Sequence, residues 1–214
     1  MLLASAVLTL LVNLFVGASP AAPQPAPEDL FTHIYGRSVV QQRTMRSIRA
    51  QFTETTTSSL LVTPLVAHGT VVAASPARVR MTYTDPEPKT ITMDGKALLV
   101  VWAGRRERER IDITDIQKRI DQYFTHANID QLRSMFQITA APDAAVPGTD
   151  RIEMVPKRKQ IKQGLERLEL WIERDRVLLV QMRMTFAGGD QKTIALEDIA
   201  VNVPVTDETF QIRP

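Results

Sequence analysis

Most of the chain between residues 48 and 201 consists of short stretches of alternating apolar and polar side chains, separated by turn residues. The cleanest is Arg78-Val79-Arg80-Met81-Thr82-Tyr83. A period of two sends successive side chains to opposite faces of a strand. Arg78, Arg80 and Thr82 therefore share one face, and Val79, Met81 and Tyr83 the other. Similar stretches cover residues 48–56, 60–66, 69–75, 90–93, 97–102, 151–155, 168–173, 177–186, 192–201 and 209–212. The connections within each run are too short for the crossovers that parallel strands need, so neighbouring strands pair antiparallel. Asp94-Gly95 is a two-residue hairpin signal, and Gly188-Gly189-Asp190 a second turn. The prolines of Asp85-Pro86-Glu87-Pro88 end the Arg78 strand. His68-Gly69 is expected to break residues 60–75 into a hairpin pair.

Helical spacing frames this sheet. Pro27-Glu28-Asp29 places acids in the first turn of a helix that runs to about Arg46, with Leu30, Ile34, Val39 and Val40 on one face. Between residues 114 and 136, Ile116, Ile120 and Phe124 recur every fourth position, as do Leu132 and Phe136. Thr114 or Asp115 suits the first cap and Asn128 the second. Residues 139–150 read as a loop, and residues 103–113 as a polar edge or ribbon. The expected fold is α+β: one strongly curved antiparallel sheet, an incomplete β-barrel, with helices lidding its concave face.

The N-terminus reads as an export signal. Residues 2–16 are almost wholly apolar, and small residues follow at Val16-Gly17-Ala18 and Ser19-Pro20-Ala21. The run is shorter than the ~20 residues of a membrane span. The expected organisation is a signal peptide over residues 1–18, a Pro/Ala linker over 19–27 and one domain over 28–214. There are no cysteines, so no disulfide supports the fold and no thiol carries a lipid. The expected location is the periplasm, as a soluble monomer.

With 44% hydrophobic and 23% charged residues the chain can build a sizeable core. The 26 bases and 24 acids nearly balance, which gives no basis for a nucleic-acid partner. No phosphate-binding glycine loop, His-Glu-x-x-His or Gly-x-Ser-x-Gly is present. His33, His68 and His126 lie in unrelated segments. Neither an enzyme activity, a cofactor nor a metal is expected. The charge runs at residues 105–110 and 157–162 read as solvated faces, or as contacts for anionic headgroups. The strand methionines are more informative. Methionine fills cores, and its flexible thioether also suits variable apolar ligands. The candidate wall of an apolar cavity is Phe52, Val79, Met81, Tyr83, Met93, Leu170, Ile172, Val180, Met182, Met184 and Phe186.

Five features occur in order: the Phe52 strand, Pro64-Leu65 then Gly69, Pro76 before the alternation, Asp94-Gly95-Lys96, and an ending with Asn202, Val205, Asp207 and Phe210. Together they resemble the LolA-like periplasmic carriers of outer-membrane lipoproteins. The resemblance implies a helix-lidded partial barrel that shields acyl chains of a lipoprotein or other lipid. It implies receipt from an inner-membrane exporter and delivery to an outer-membrane acceptor. A sensor of the same fold, binding a membrane-anchored partner protein, is the alternative. The family's arginine before the strand proline is Ser75 here, and the aromatic expected after the alternation is Met81. Both departures suit a divergent paralogue with different cargo. By alternation, Arg78 and Arg80 point away from the cavity and do not replace that arginine.

Overall fold

The computed structural model describes residues 29–75, 77–105, 108–120 and 127–212. The expected leader and linker, Pro76, Phe124 and His126 lie outside them, and Ile120 is described by its backbone only. Helix α1 (Leu30–Thr44) comes first, with Asp29 as its N-cap. Strands β1 (Ser47–Thr57), β2 (Leu65–Ala74), β3 (Arg78–Asp85), β4 (Lys89–Met93), β5 (Ala97–Trp102) and β6 (Arg108–Asp112) follow. Short helices α2 (Thr114–Ile120) and α3 (Ile129–Met135) separate these from β7 (Phe136–Pro142) and β8 (Thr149–Pro156). Helix α4 (Lys159–Lys162), β9 (Arg167–Glu173), β10 (Leu179–Thr185), β11 (Gln191–Val201) and a 3-10 turn (Asp207–Phe210) complete the chain.

The eleven strands form one sheet in the order β6-β5-β4-β3-β2-β1-β11-β10-β9-β8-β7. It consists of two meanders, β1–β6 and β7–β11, joined where the first strand pairs antiparallel with the last. The edges are β6 and β7, so the sheet does not close into a barrel. These two edges are consecutive in the chain. The segment holding α2 and α3 must therefore pass from one edge to the other. A flat sheet of this many strands would be roughly 48 Å wide at ~4.8 Å per strand. Curling brings one face of nearly every strand into a single buried cluster with Phe31 and Ile34 of α1 and Leu132 and Met135 of α3.

Five expectations are corrected. Residues 60–75 are not a hairpin pair: β2 runs unbroken through His68 and Gly69, and the chain turns earlier, at residues 58–64. Gly69 is in the strand because a side chain would not fit there. Helical spacing misled at Phe136, which opens β7 and is fully buried, and the expected loop at residues 139–150 begins as that strand. The expected final strand is the 3-10 turn, packed on β3 rather than paired in the sheet. Finally, the Leu178-to-Phe186 alternation is interrupted by a bulge between Leu179 and Gln181. Of the expected caps, Asn128 forms a full capping box with Gln131. At α2, Asp112 accepts the Thr114 N–H (2.8 Å).

The family-like ending is a set of ties to the start of the sheet. Asn202, at positive φ, accepts the Arg46 N–H (2.8 Å) and donates to the Thr44 carbonyl (3.1 Å). Ser47 donates its hydroxyl to the Val203 carbonyl (2.6 Å). These bonds satisfy the backbone where α1 hands over to β1.

Candidate functional site: the concave face of the sheet

Cross-strand partners share a face, so strand register maps the concave surface. One row runs Ile152, Leu170, Met182, Ile194 and Glu54. The next runs Met154, Leu168, Met184, Lys192 and Thr56. On the other half, Ala73, Val79 and Met93 align, as do Val71, Met81 and Ile91, and Phe52, Gly69, Tyr83 and Lys89. The structure thus brings Phe52, Val79, Met81, Tyr83, Met93, Leu170, Ile172, Met182 and Met184 into one buried cluster. Phe186 packs against that cluster partly buried. Val180 does not join it: the bulge displaces it from the alternation, and neighbouring Leu179 packs on the cluster instead.

The helices complete the enclosure. Phe31, Ile34, Ala127, Leu132 and Met135 belong to the same cluster as the strand methionines. Helix α3 has only seven residues and little stability of its own. It is held by its capping box and by Arg133. That guanidinium reaches Asp29, the N-cap of α1, and the Thr32 hydroxyl (3.0 Å), and stacks over Phe31 (5.8 Å). Arg133 therefore ties the two lid helices together. Tyr35 of α1 adds a bond to the Ala127 carbonyl (3.2 Å). The Thr32 N–H, chief among several donors, holds the Asp29 carboxyl below the usual carboxylate range, with the Arg133 charge adding to it. Beside the first turns of α1 a cleft of ≈330 Å³ opens, bordered by Leu30, Ile34, Ile172 and Val177.

The concave face is not wholly apolar. Glu54 and Lys192 form an ion pair (2.7 Å), and both are only 13% and 16% exposed. Tyr83 donates its hydroxyl to the other Glu54 oxygen (3.0 Å). Lys89 sits over the Tyr83 ring, 4.7 Å from its centroid. Burial, reinforced by the Glu54 carboxylate, pushes the Tyr83 hydroxyl far above the phenol range, so it stays a donor. The sequence reading included Tyr83 but missed Glu54, Lys89 and Lys192. Glu54 continues the Ile48, Ala50, Phe52 alternation, which was the available signal.

The convex face carries Arg78 and Arg80, as alternation required. They are not simply solvated. Arg78 pairs with Asp207 and lies over the buried Phe210 ring (5.1 Å), and Arg80 donates to the Thr209 carbonyl (3.2 Å). Among the described residues no His, Asp or Glu side chains converge in threes on a metal site. No described helix is long and apolar enough to cross a membrane.

The family described as outer membrane lipoprotein carrier protein LolA matches residues 43–213. The chain belongs to the LolA family. Solved structures of similar fold include the lipoprotein LppX of Mycobacterium tuberculosis, 15% identical with a TM-score of 0.51, covering 81% of this chain and 96% of that one. The MucA/MucB complex of Pseudomonas aeruginosa is 13% identical with a TM-score of 0.50, covering 85% of this chain and 60% of that one. A LolA superfamily protein of Nitrosomonas europaea is 11% identical with a TM-score of 0.40, covering 79% and 91%. No functionally curated protein matches. In this LolA-family chain the position before the strand proline, Ser75, is exposed in the β2–β3 turn, where its N–H bonds the Arg46 carbonyl (3.1 Å).

Proposed function

We propose that this protein is a non-enzymatic periplasmic carrier that holds the acyl chains of a lipoprotein or other lipid between the concave face and the helices. Residues 1–18 would direct export, residues 19–27 would link, and residues 28–214 would form the carrier. The observation that carries the reading is the large apolar cluster on one face of a LolA-family sheet, rich in Met81, Met93, Met182 and Met184, packed against helices rather than closed by strands. Flexible methionines can repack around tails of different length. Each buried CH₂ contributes ~0.8 kcal/mol, so about ten methylenes contribute on the order of 8 kcal/mol before the cost of opening the lid. That affinity keeps a lipid out of water yet allows its transfer to a stronger acceptor. An inner-membrane exporter would supply the cargo and an outer-membrane acceptor would take it. No bond is made or broken.

The test is native mass spectrometry of the protein purified from membranes and of protein incubated with acyl lipids. A bound acyl species is expected, and repeated failure to find or load one would exclude the reading. The fold shared with the MucA/MucB complex supports a second role, binding a membrane-anchored partner protein. A stable stoichiometric complex with such a partner, recovered in place of transport components, would favour it.

A further inference from the structure

We propose that the Lys89–Tyr83–Glu54–Lys192 cluster is a headgroup site that selects amphiphiles with an anionic end. This rests on the carrier reading and specifies its cargo. Three observations support it. The four side chains belong to adjacent positions on the concave face: Glu54 is two residues from Phe52, Lys192 is opposite Thr56, and Lys89 is opposite Tyr83. Glu54 lies in the row of Met182 and Lys192 in the row of Met184, and Tyr83 bonds Glu54, so a tail along those methionines would leave its polar end here. Their charges do not cancel, since two ammonium groups accompany one carboxylate.

Burying the Glu54–Lys192 pair on an apolar face costs desolvation, and a hydrophobic pair would pack there at least as well. The pair is instead kept largely buried and held in place by Tyr83. The Tyr83 hydroxyl and the Lys192 ammonium occupy different oxygens of Glu54, which fixes the carboxylate. An ammonium has three N–H donors, and Glu54 takes one from Lys192. The remaining donors, with the Lys89 ammonium across the ring, suit a phosphate or carboxylate at the end of an acyl chain. Glu54 meanwhile disfavours two anions in the same place, which sets the preference at a single negative charge.

The test compares dansyl-labelled undecanoic acid with its methyl ester, and phosphatidylglycerol with diacylglycerol, by fluorescence titration. The acid is expected to bind about tenfold more tightly than the ester. Lys89→Met should remove most of that preference while changing ester binding less than about twofold. Because Lys192→Met alone would strand Glu54, the paired change Glu54→Gln with Lys192→Gln is the second variant. It should remove the preference with an unchanged thermal midpoint for the folded chain. Equal binding of acid and ester together with equal binding of phosphatidylglycerol and diacylglycerol by the wild type, or equal loss of acid and ester in Lys89→Met, would overturn the inference and leave the carrier reading standing. If neither probe nor lipid binds, both fail. Phosphatidylglycerol preferred with no preference between acid and ester would identify the phosphate rather than the carboxylate as the group recognised.

Discussion

Gly69 lies beneath the Phe52 ring: a β-carbon on it would stand 2.8 Å from the ring's Cζ and 2.2 Å from the Thr82 carbonyl oxygen. The glycine that looks like a break in the sequence is therefore a point where β1, β2 and β3 leave no room for a side chain. It lets Phe52 lie flat enough to meet Tyr83 edge-on, with centroids 4.9 Å apart. Gly69→Ala must move backbone, not merely a flexible side chain. The expected loss is about 2 kcal/mol or more, read from urea unfolding. A change below a few tenths would mean that the strands yield there freely.

The capping box is the fastening of α3 that one substitution can loosen without touching the Arg133 tie to α1. Asn128→Ala deletes the acceptor for the Gln131 N–H and should cost about 1 kcal/mol, local to α3. Leu132 and Met135 cover the methionine wall, so uptake of a fluorescent fatty acid should quicken by about fivefold in stopped flow. Unchanged uptake would show that cargo enters by another route.

Acid should loosen the join between the two lid helices. The Asp29 carboxyl is held below its unfolded value of about 3.9. A lowered folded value means that its stabilisation is complete above the unfolded value and is lost as pH falls through the folded one. The wild type should therefore lose more of its thermal midpoint between about pH 5 and pH 2 than Asp29→Asn does. The difference should be small, because Asp29 is 58% exposed. Parallel titration of both proteins by circular dichroism checks it.

The C-terminal clamp should prove apolar more than ionic. Phe210 is 3% exposed, whereas Asp207 is 95% exposed. Phe210→Ala should cost about 3 kcal/mol, and Asp207→Asn no more than about 0.5 kcal/mol, both by chemical denaturation. Arg80→Ala, on the convex side, should leave lipid loading unchanged. A loading defect in that variant would relocate the cargo.

Much of the buried concave face was legible because alternation is local. Nine of the expected wall residues need only their neighbours' polarity to be placed on one face, and they share one cluster. Val180 failed because a bulge arises from how β9 and β10 register, which neither strand specifies alone. Phe136 failed because its four-residue spacing from Leu132 fits a helix until the chain turns into β7. Glu54 and Lys192 lie far apart in sequence, and only the β1–β11 pairing makes them one polar group.

The sequence by itself determined most of the strands, their antiparallel sense, and which side of each is apolar, since all three follow from period-two patterning and short connections; it did not determine β7, whose opening Phe136 fits helical spacing. Only the tertiary structure decided that the last strand zips onto the first, that α3 packs on the concave face and is tied to α1, and that charges gather on that face. Those depend on contacts between residues far apart in the chain, Lys192 and Glu54 by 138 positions and Arg133 and Thr32 by 101, where the balance of desolvation, packing and pairing is settled by the assembled sheet.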